Sequence, residues 1–456
     1  MYAGLRAWLP KLLRTKGMDT KTQSLMERSV AREKALSAML MTYVLSGLVF
    51  MLLPGTFLGV WNLISISRLQ ALESITPGWI QAHGHAQIFG WVATFILGIG
   101  FYSIPKLRKM KPFPMWRVWT CWAMWTAGVL LRWAVTVWPW HWRVLMPFAA
   151  LLEFAAFLLF FVTIGPAHSS TDGPRKPWDV WVFAVIAATS GLMLSLMLQV
   201  LETFSLARTG TSPAFPHEFD QRYLVVSTWG FLVPMVWGFS ARWLPVFLGL
   251  RPMFSRVFVA ALAANSMGVI AALLGYFAPA TILILAGSVC AGLSIRILEP
   301  SLHKPKVVGV HRSFPLFVRL AYAWLMVAGV LGIWAEFNGQ LSPGIWGASR
   351  HALTVGFISA MVFSVGQRIL PAFGGMRVLA SPILMFAGLA LLMLGCTLRV
   401  SSEILAYQGY AGWAWEVLPV SALIEMTAVT LFAINLAWTF LRPPVVVQGP
   451  LAQLVE

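Results

Sequence analysis

Charged residues are scarce in this sequence. Asp, Glu, Lys and Arg make up 11% of its 456 residues, whereas soluble domains carry roughly 25%. Hydrophobic residues reach 59%, and the mean hydropathy is +0.76. This balance excludes an ordinary soluble domain and predicts a protein that crosses a lipid bilayer several times.

Cysteine is also rare, with three residues in the whole chain. Cys121, Cys290 and Cys396 each stand alone inside an apolar run, which argues against a paired-cysteine metal motif and predicts small packing residues. The first 36 residues lack the short apolar core and the small-residue cleavage site of a signal peptide. We therefore expect them to form a basic amphipathic arm that lies on the anionic inner leaflet.

The long apolar runs do not alternate polar and apolar residues as a membrane β-barrel does. Twelve runs are long enough to cross a hydrocarbon core, which takes about 20 helical residues. Their approximate limits are 37–58, 79–104, 116–138, 142–164, 178–200, 222–248, 255–276, 279–298, 315–337, 346–371, 379–400 and 414–441. The sequence thus predicts an all-α polytopic membrane bundle in three parts: a cytoplasmic basic arm (1–36), a twelve-span domain (37–442) and a cytoplasmic tail (443–456).

Acidic residues are few: 16 Asp and Glu stand against 33 Lys and Arg, which gives a net charge of +17. The basic residues gather before the first span and in every second loop, whereas the opposite loops hold little beyond Arg68 and Arg208. The positive-inside rule places Lys- and Arg-rich loops in the cytoplasm, so both termini are expected inside a bacterial inner membrane. This distribution accounts for the charge without a nucleic-acid partner and leaves the lipid bilayer as the first partner.

Histidine occurs only eight times, and two histidines stand out by their depth. His83 and His351 each lie about five residues into a span that enters from the outer face, roughly 7 Å deep at 1.5 Å per residue. Two neutral imidazoles at equal depth on different helices can hold one haem iron from opposite sides. His85 points away from His83, because residues two apart on a helix are turned by about 200°. Only one of them can face the haem, and we assign His83.

Two motifs resemble a known group at these histidines. Ala82-His83-Gly84 followed by Ile88-Phe89 resembles the second span of haem-copper oxidase catalytic subunits, where the histidine before glycine is an axial ligand of the low-spin haem. In the tenth span, "RHALTVGFISAMVFSVGQRILP" places Pro371 twenty residues after His351, as that group does after its second ligand. Twelve spans is also the number of spans in that group. The resemblance implies a bundle like oxidase subunit I that holds a low-spin haem between spans two and ten.

The chain resembles the NnrS family more closely than it resembles the oxidases. Members of that family are haem-containing membrane proteins associated with bacterial nitric oxide stress. The stretches that carry this similarity are "HGHAQIFGW", "RHALTVGF" and "WGFLVPMVWGFSARWLPVF". Oxidases have a second histidine two residues before the tenth-span ligand, where this chain has Ser349, and their copper-binding histidines have no counterpart in 222–248 or 255–276. The resemblance therefore implies one low-spin haem b and no binuclear centre of the usual kind.

Further polar residues fall near the outer face. Arg399, Arg350 and Arg132 are candidates for the haem propionates, with Arg399 first; interfacial snorkelling is the alternative. A second metal site for copper or zinc is a further hypothesis, and its candidate residues are His85, His141, His217 and Glu218. A periplasmic loop packed over the haem would explain His217 and Glu218 equally well.

Glu153 and Glu425 lie inside spans, where a carboxylate is costly unless it has a partner. We expect each to pair with a buried arginine or tryptophan, although a place on a proton path is the alternative. Together with the basic inner loops, these glutamates are the only support for a transporter or assembly factor.

Three classes of function remain. The first is a bis-histidine haem protein that senses nitric oxide, transfers electrons from a quinol or cytochrome donor, or protects against nitrosative stress. The second is a divergent nitric oxide or oxygen reductase that uses unfamiliar ligands such as His85 and His217. The third is a transporter or assembly factor on the same scaffold. A reduced-minus-oxidised spectrum of the purified protein distinguishes them.

Overall fold

The computed structural model describes residues 20–71, 74–108, 110–165, 179–339, 342–375 and 377–443. Throughout these ranges the chain is helical, with short connecting loops and no β-strand. The all-α prediction is therefore confirmed. The predicted arm is described from Thr20, and it is helical from there into the first long helix. The predicted tail is described only at Pro443.

Twelve long helices follow one another along the described chain, and we number them α1 to α12. They are α1 (Glu27–Leu69), α2 (Pro77–Leu107), α3 (Met115–Val137), α4 (Trp142–Ile164), α5 (Val180–Thr209), α6 (His217–Leu248), α7 (Ser255–Leu273), α8 (Phe277–Ile295), α9 (Phe314–Phe337), α10 (Gly344–Phe373), α11 (Pro382–Tyr407) and α12 (Ala414–Leu441). Eleven of them are long and apolar enough to cross a membrane. The remaining one, α3, has 23 residues, but its five tryptophans and two arginines make it less apolar.

The first helix departs most from the sequence prediction. It continues to Leu69, whereas the predicted span ended near residue 58. That end is too early because the helix continues through Leu58–Leu69 and stops only where Gln70 takes a left-handed conformation, with φ 50°. Pro54 lies in a π-helical segment, Met51–Phe57, whose wider turn accommodates a residue that has no N–H to donate.

Glycines allow neighbouring helices to approach closely. A Cβ atom on Gly191 of α5 would lie 2.1 Å from the carbonyl oxygen of Gly230 in α6. A Cβ atom on Gly128 of α3 would lie 3.0 Å from the carbonyl oxygen of Ala149 in α4. Small residues serve this purpose in membrane bundles, because apolar side chains gain little by leaving lipid for another helix. The close approach fixes which side chains can meet in the middle of the bundle.

The loops that the charge pattern assigns to the cytoplasm contact one another in pairs. In the loop after α8, the Lys306 backbone N–H donates to the carbonyl of Phe247, near the end of α6, at 2.9 Å. The Nε of Arg377 donates to the carbonyl of Arg442 at 3.1 Å. Such contacts require these loops to share one end of the bundle, as the predicted topology does.

Five π-helical segments interrupt four of the helices. Besides the segment in α1, they are Ala86–Ala93 in α2, Val226–Leu232 in α6, and Ala352–Ser359 and Val362–Gly366 in α10. A π turn shifts every later side chain relative to the regular 3.6-residue repeat, and such turns are frequent at functional sites. In α2 and α10 the segments begin directly after His85 and His351, respectively. The irregular backbone therefore coincides with the histidines that the sequence singles out.

Candidate cofactor site between α2 and α10

His83 of α2 rests against α1. Its Nδ1 lies 2.8 Å from the carbonyl oxygen of Gly55. One turn further along α1, a Cβ atom on Gly59 would lie 2.6 Å from the Cε1 atom of the ring. The two glycines therefore form a notch that receives the imidazole. Because a carbonyl can only accept, Nδ1 carries the proton and Nε2 keeps its lone pair for a metal.

His351 of α10 has the same arrangement. Its Nδ1 lies 2.9 Å from the carbonyl oxygen of Gly347 and 3.2 Å from Oε2 of Glu403 in α11. Gly347 makes room for this carboxylate, because a Cβ atom there would lie 2.1 Å from Oε1 of Glu403. A carboxylate or carbonyl on Nδ1 is the usual second partner of a metal-binding histidine, since it orients the ring and makes Nε2 more basic.

The two imidazoles belong to one electrostatic neighbourhood. His83 lies within electrostatic range of both His351 and Arg399. Both rings keep accessible surface although they lie within the bundle, and the side chain of His351 is 26% exposed. A Cβ atom on Gly84 would find no atom within 4 Å, so the helix face beside His83 borders open space. The structure thus brings together the two predicted ligands and leaves room next to them.

Arg399 of α11 supplies unused hydrogen-bond donors at this site. Its Nη2 lies 3.5 Å from Oε2 of Glu403, while the buried Nε and Nη1 have no hydrogen-bond partner among the described residues. A buried donor without a partner costs roughly 1–3 kcal/mol. A carboxylate such as a haem propionate would satisfy these donors, which agrees with the predicted role of Arg399. With two imidazoles that offer Nε2, the residues present fit a haem.

The other predicted arginines have partners elsewhere, although the buried Nε of Arg132 has none among the described residues. Arg350 donates from Nη2 to Oε1 of Gln221 at 2.6 Å. Arg132 donates to the hydroxyl of Thr136 and lies over the Phe215 ring, 4.7 Å from its centroid. Their assignment to the propionates stays a prediction, and the geometry favours Arg399 over both.

His85 and His83 face different helices, as predicted. The Nε2 of His85 lies 3.1 Å from Oε1 of Glu153 in α4, and its ring stacks on Phe89 at 4.9 Å. The expected arginine or tryptophan partner of Glu153 is therefore wrong: the partner is His85, which the approach of α2 to α4 brings within reach. Among the described residues, Oε1 of Glu425 has no hydrogen-bond partner, although the cation of Arg399 is close enough to act on its carboxylate.

The proposed second metal site does not assemble in the described part of the chain. His217 is exposed and contacts Gln221, with Nε2 3.3 Å from the amide nitrogen, whereas His85 is buried against Glu153. His141 is exposed beside Trp140. Across the described residues, no group of three or more His, Cys, Asp or Glu side chains could hold a metal ion. The geometry therefore gives copper or zinc no support.

Sequence reasoning missed Glu403 and the three glycines at the imidazoles. Glu403 had a detectable signal, because it lies four residues after Arg399 in an apolar span, the spacing of an intrahelical ion pair. The glycines had none, since their role depends on which side chains α2 and α11 direct at them. These residues position the ligands that the motifs identify.

Comparisons with known proteins agree with this geometry. A family model described as NnrS protein matches residues 37–443. A haem-copper terminal oxidase dimer solved by cryo-EM has a similar fold, with a TM-score of 0.61 and 14% identity over 90% of this chain and 85% of that chain. No curated protein matches the chain. The resemblance read from the two histidine motifs is thus confirmed for the family and for the fold.

Proposed function

Because the chain belongs to the NnrS family, we propose that it is a membrane haem protein that serves the response to nitric oxide stress. His83 and His351 would together hold the iron of a single low-spin haem b between α2 and α10. One observation carries this proposal: both imidazoles bind a backbone carbonyl through Nδ1 and keep Nε2 for a metal. When bound, the haem supplies a one-electron redox couple.

Different residues would position the two imidazole ligands and a propionate of the haem. Gly55 and Gly59 fix the ring of His83, while Glu403 fixes the ring of His351 and raises its electron donation. Arg399 holds a propionate with the donors that Glu403 leaves free. This arrangement suits electron transfer, for which a quinol or cytochrome is the donor class, because both axial positions are filled by protein.

The first test concerns the redox potential. Glu403→Gln should raise the reduction potential of the haem, since it removes a negative charge beside His351 and leaves Arg399 as an unpaired cation. A potentiometric titration of the purified protein measures the shift. Glu416→Gln, at the exposed start of α12, is the matched control and should leave the potential unchanged. An unchanged or lower potential in Glu403→Gln would show that this carboxylate does not lower the reduction potential of the haem.

A second test concerns turnover. Ser349 uses its hydroxyl to donate to the carbonyl of Ala328 at 2.8 Å, and 222–248 and 255–273 contain no histidine. With no ligands for a second redox metal there, consumption of oxygen or nitric oxide by purified protein and excess reductant should match the protein-free background. Sustained turnover that depends on His85 or His217, with near-stoichiometric copper, would instead establish the reductase function.

Topology gives a third test, because the proposed function places the protein in a bacterial inner membrane with both termini in the cytoplasm. Alkaline phosphatase is active only outside the cytoplasm. Fused after Arg442 it should be inactive, and fused within the loop between α3 and α4, near Trp140, it should be active. The reverse pattern would invert the orientation.

A further inference from the structure

The π-helical segment of α1, Met51–Phe57, redirects a backbone hydrogen bond beside His83. In a regular helix the Leu58 N–H would donate to the carbonyl of Pro54, four residues earlier. Here it donates to the carbonyl of Gly55, three residues earlier. The same carbonyl accepts from Nδ1 of His83 at 2.8 Å, which its two lone pairs allow. The carbonyl of Pro54 is thereby left without its usual backbone donor.

Trp133 of α3 takes the place of that donor. Its indole Nε1 donates to the carbonyl of Pro54 at 3.1 Å. Pro54 is buried, and a buried carbonyl that has no partner is costly. Because an indole N–H can only donate, this contact has a fixed direction. The indole therefore allows the Leu58 N–H to stay on the carbonyl of Gly55.

Gln87 of α2 contacts the same segment from another side. Its Nε2 donates to the hydroxyl of Thr56 at 3.0 Å, and that hydroxyl donates to the carbonyl of Met51 at 2.8 Å. The amide of Gln87 also packs on Gly55, where a Cβ atom would lie 2.7 Å from Nε2. Gln87 follows His83 by four residues, so both side chains leave α2 on the same side. The π-helical segment is thus held by side chains from α2 and α3.

We propose that Trp133 is a positioning residue for His83 and acts through the π-helical segment of α1. Without the indole N–H, the Leu58 N–H returns to the carbonyl of Pro54, and the segment relaxes toward a regular helix. The carbonyl of Gly55 then turns away from the imidazole, and its bond with Nδ1 weakens. This inference rests on the proposed function, because it takes His83 to be a haem ligand.

The expected effect on the haem has a definite sign. The hydrogen bond at Nδ1 makes Nε2 of His83 a stronger electron donor. A weaker bond therefore stabilises the oxidised iron less, and the reduction potential rises. A role confined to packing α3 against α1 would leave the potential where it is.

Trp133→Phe tests the proposal, because it removes the indole N–H and keeps an aromatic ring. The matched control is Trp122→Phe. Nε1 of Trp122 also joins α3 to α1, by donating to Oγ of Ser46 at 3.0 Å, but Ser46 lies in a regular part of α1. Potentiometric titration and electron paramagnetic resonance of the purified full-length variants are the measurements. We expect a raised potential and shifted low-spin g values in Trp133→Phe, and wild-type values in Trp122→Phe.

Pro54→Ala is an independent second variant. It supplies the backbone N–H that proline lacks and favours a regular helix in this segment. It should therefore raise the potential as Trp133→Phe does. An unchanged potential with unchanged g values in Trp133→Phe would overturn the proposal. An equal shift in Trp122→Phe would also overturn it, since the effect would then come from contact between α1 and α3 in general.

Nitrogen-15 NMR of histidine-labelled protein without haem separates this outcome from failure of the haem assignment. The Nδ1 proton of His83 is identified by its absence in His83→Ala. Its chemical shift should fall in Trp133→Phe, as the hydrogen bond weakens, and stay unchanged in Trp122→Phe. If the wild-type protein contains no haem but shows this change, the positioning of the imidazole stands and the proposed function fails. If it contains bis-histidine haem and Trp133→Phe changes neither potential nor chemical shift, the proposed function stands and the positioning fails.

Discussion

Replacing either His83 or His351 with alanine should abolish the low-spin haem spectrum of the purified protein. In the proposed function each imidazole would supply one ligand of the haem iron, and each is held by a hydrogen bond from Nδ1 that an alanine cannot replace. We expect near-complete loss of bound haem in the double variant. In either single variant, added imidazole should restore part of the low-spin signal by occupying the space that the side chain leaves.

The matched control for this result is His85→Gln. An amide at this position can still donate to Glu153, so the buried carboxylate keeps a partner and the protein should fold. Because His85 faces α4 and His83 faces α1, the low-spin spectrum should persist. Loss of the spectrum in His85→Gln, together with its retention in His83→Ala, would reverse the ligand assignment.

Gly59→Ala should release haem although it changes no ligand. Its new Cβ atom would lie 2.6 Å from Cε1 and 2.8 Å from Nδ1 of His83, so the ring must move and its bond to Gly55 must weaken. Loss of a partner that orients a metal ligand typically costs about 10- to 100-fold in affinity. We expect haem retention during purification to fall accordingly, measured as haem per polypeptide.

The control for the Gly59 variant is Gly292→Ala, which adds the same methyl group to a membrane helix without a close contact. It should bind haem as the wild type does. Full haem content in Gly59→Ala, with an unaltered spectrum, would show that the notch in α1 does not position His83.

Much of the fold could be predicted from the sequence, because hydropathy and charge determine how a chain crosses a bilayer. The predicted limits 142–164 and 414–441 coincide with α4 and α12. The sequence likewise predicts that His83 and His351 lie at the same depth, since depth depends only on where each span begins. The span limits and the depths of the histidines depend on residues that are close together in the sequence. Hydropathy and the helical rise per residue are therefore enough to predict them.

The missed features depend on contacts between distant parts of the chain. No residue near Glu153 in the sequence indicates that His85 is its hydrogen-bond partner, because 68 residues separate the two. The π-helical segments after His85 and His351 contain no proline comparable with Pro54, and hydropathy does not distinguish a π turn from an α turn. Side-chain pairing and helix irregularity are set by packing, which requires the three-dimensional arrangement.

The proposed function depends on one haem held by His83 and His351. Electron paramagnetic resonance of the oxidised, purified protein, combined with haem quantification, tests this ligation. We expect one haem b per polypeptide with a purely low-spin, bis-histidine signal that disappears in His83→Ala and in His351→Ala. A protein without haem, or a high-spin signal of comparable intensity in the wild type, would contradict it.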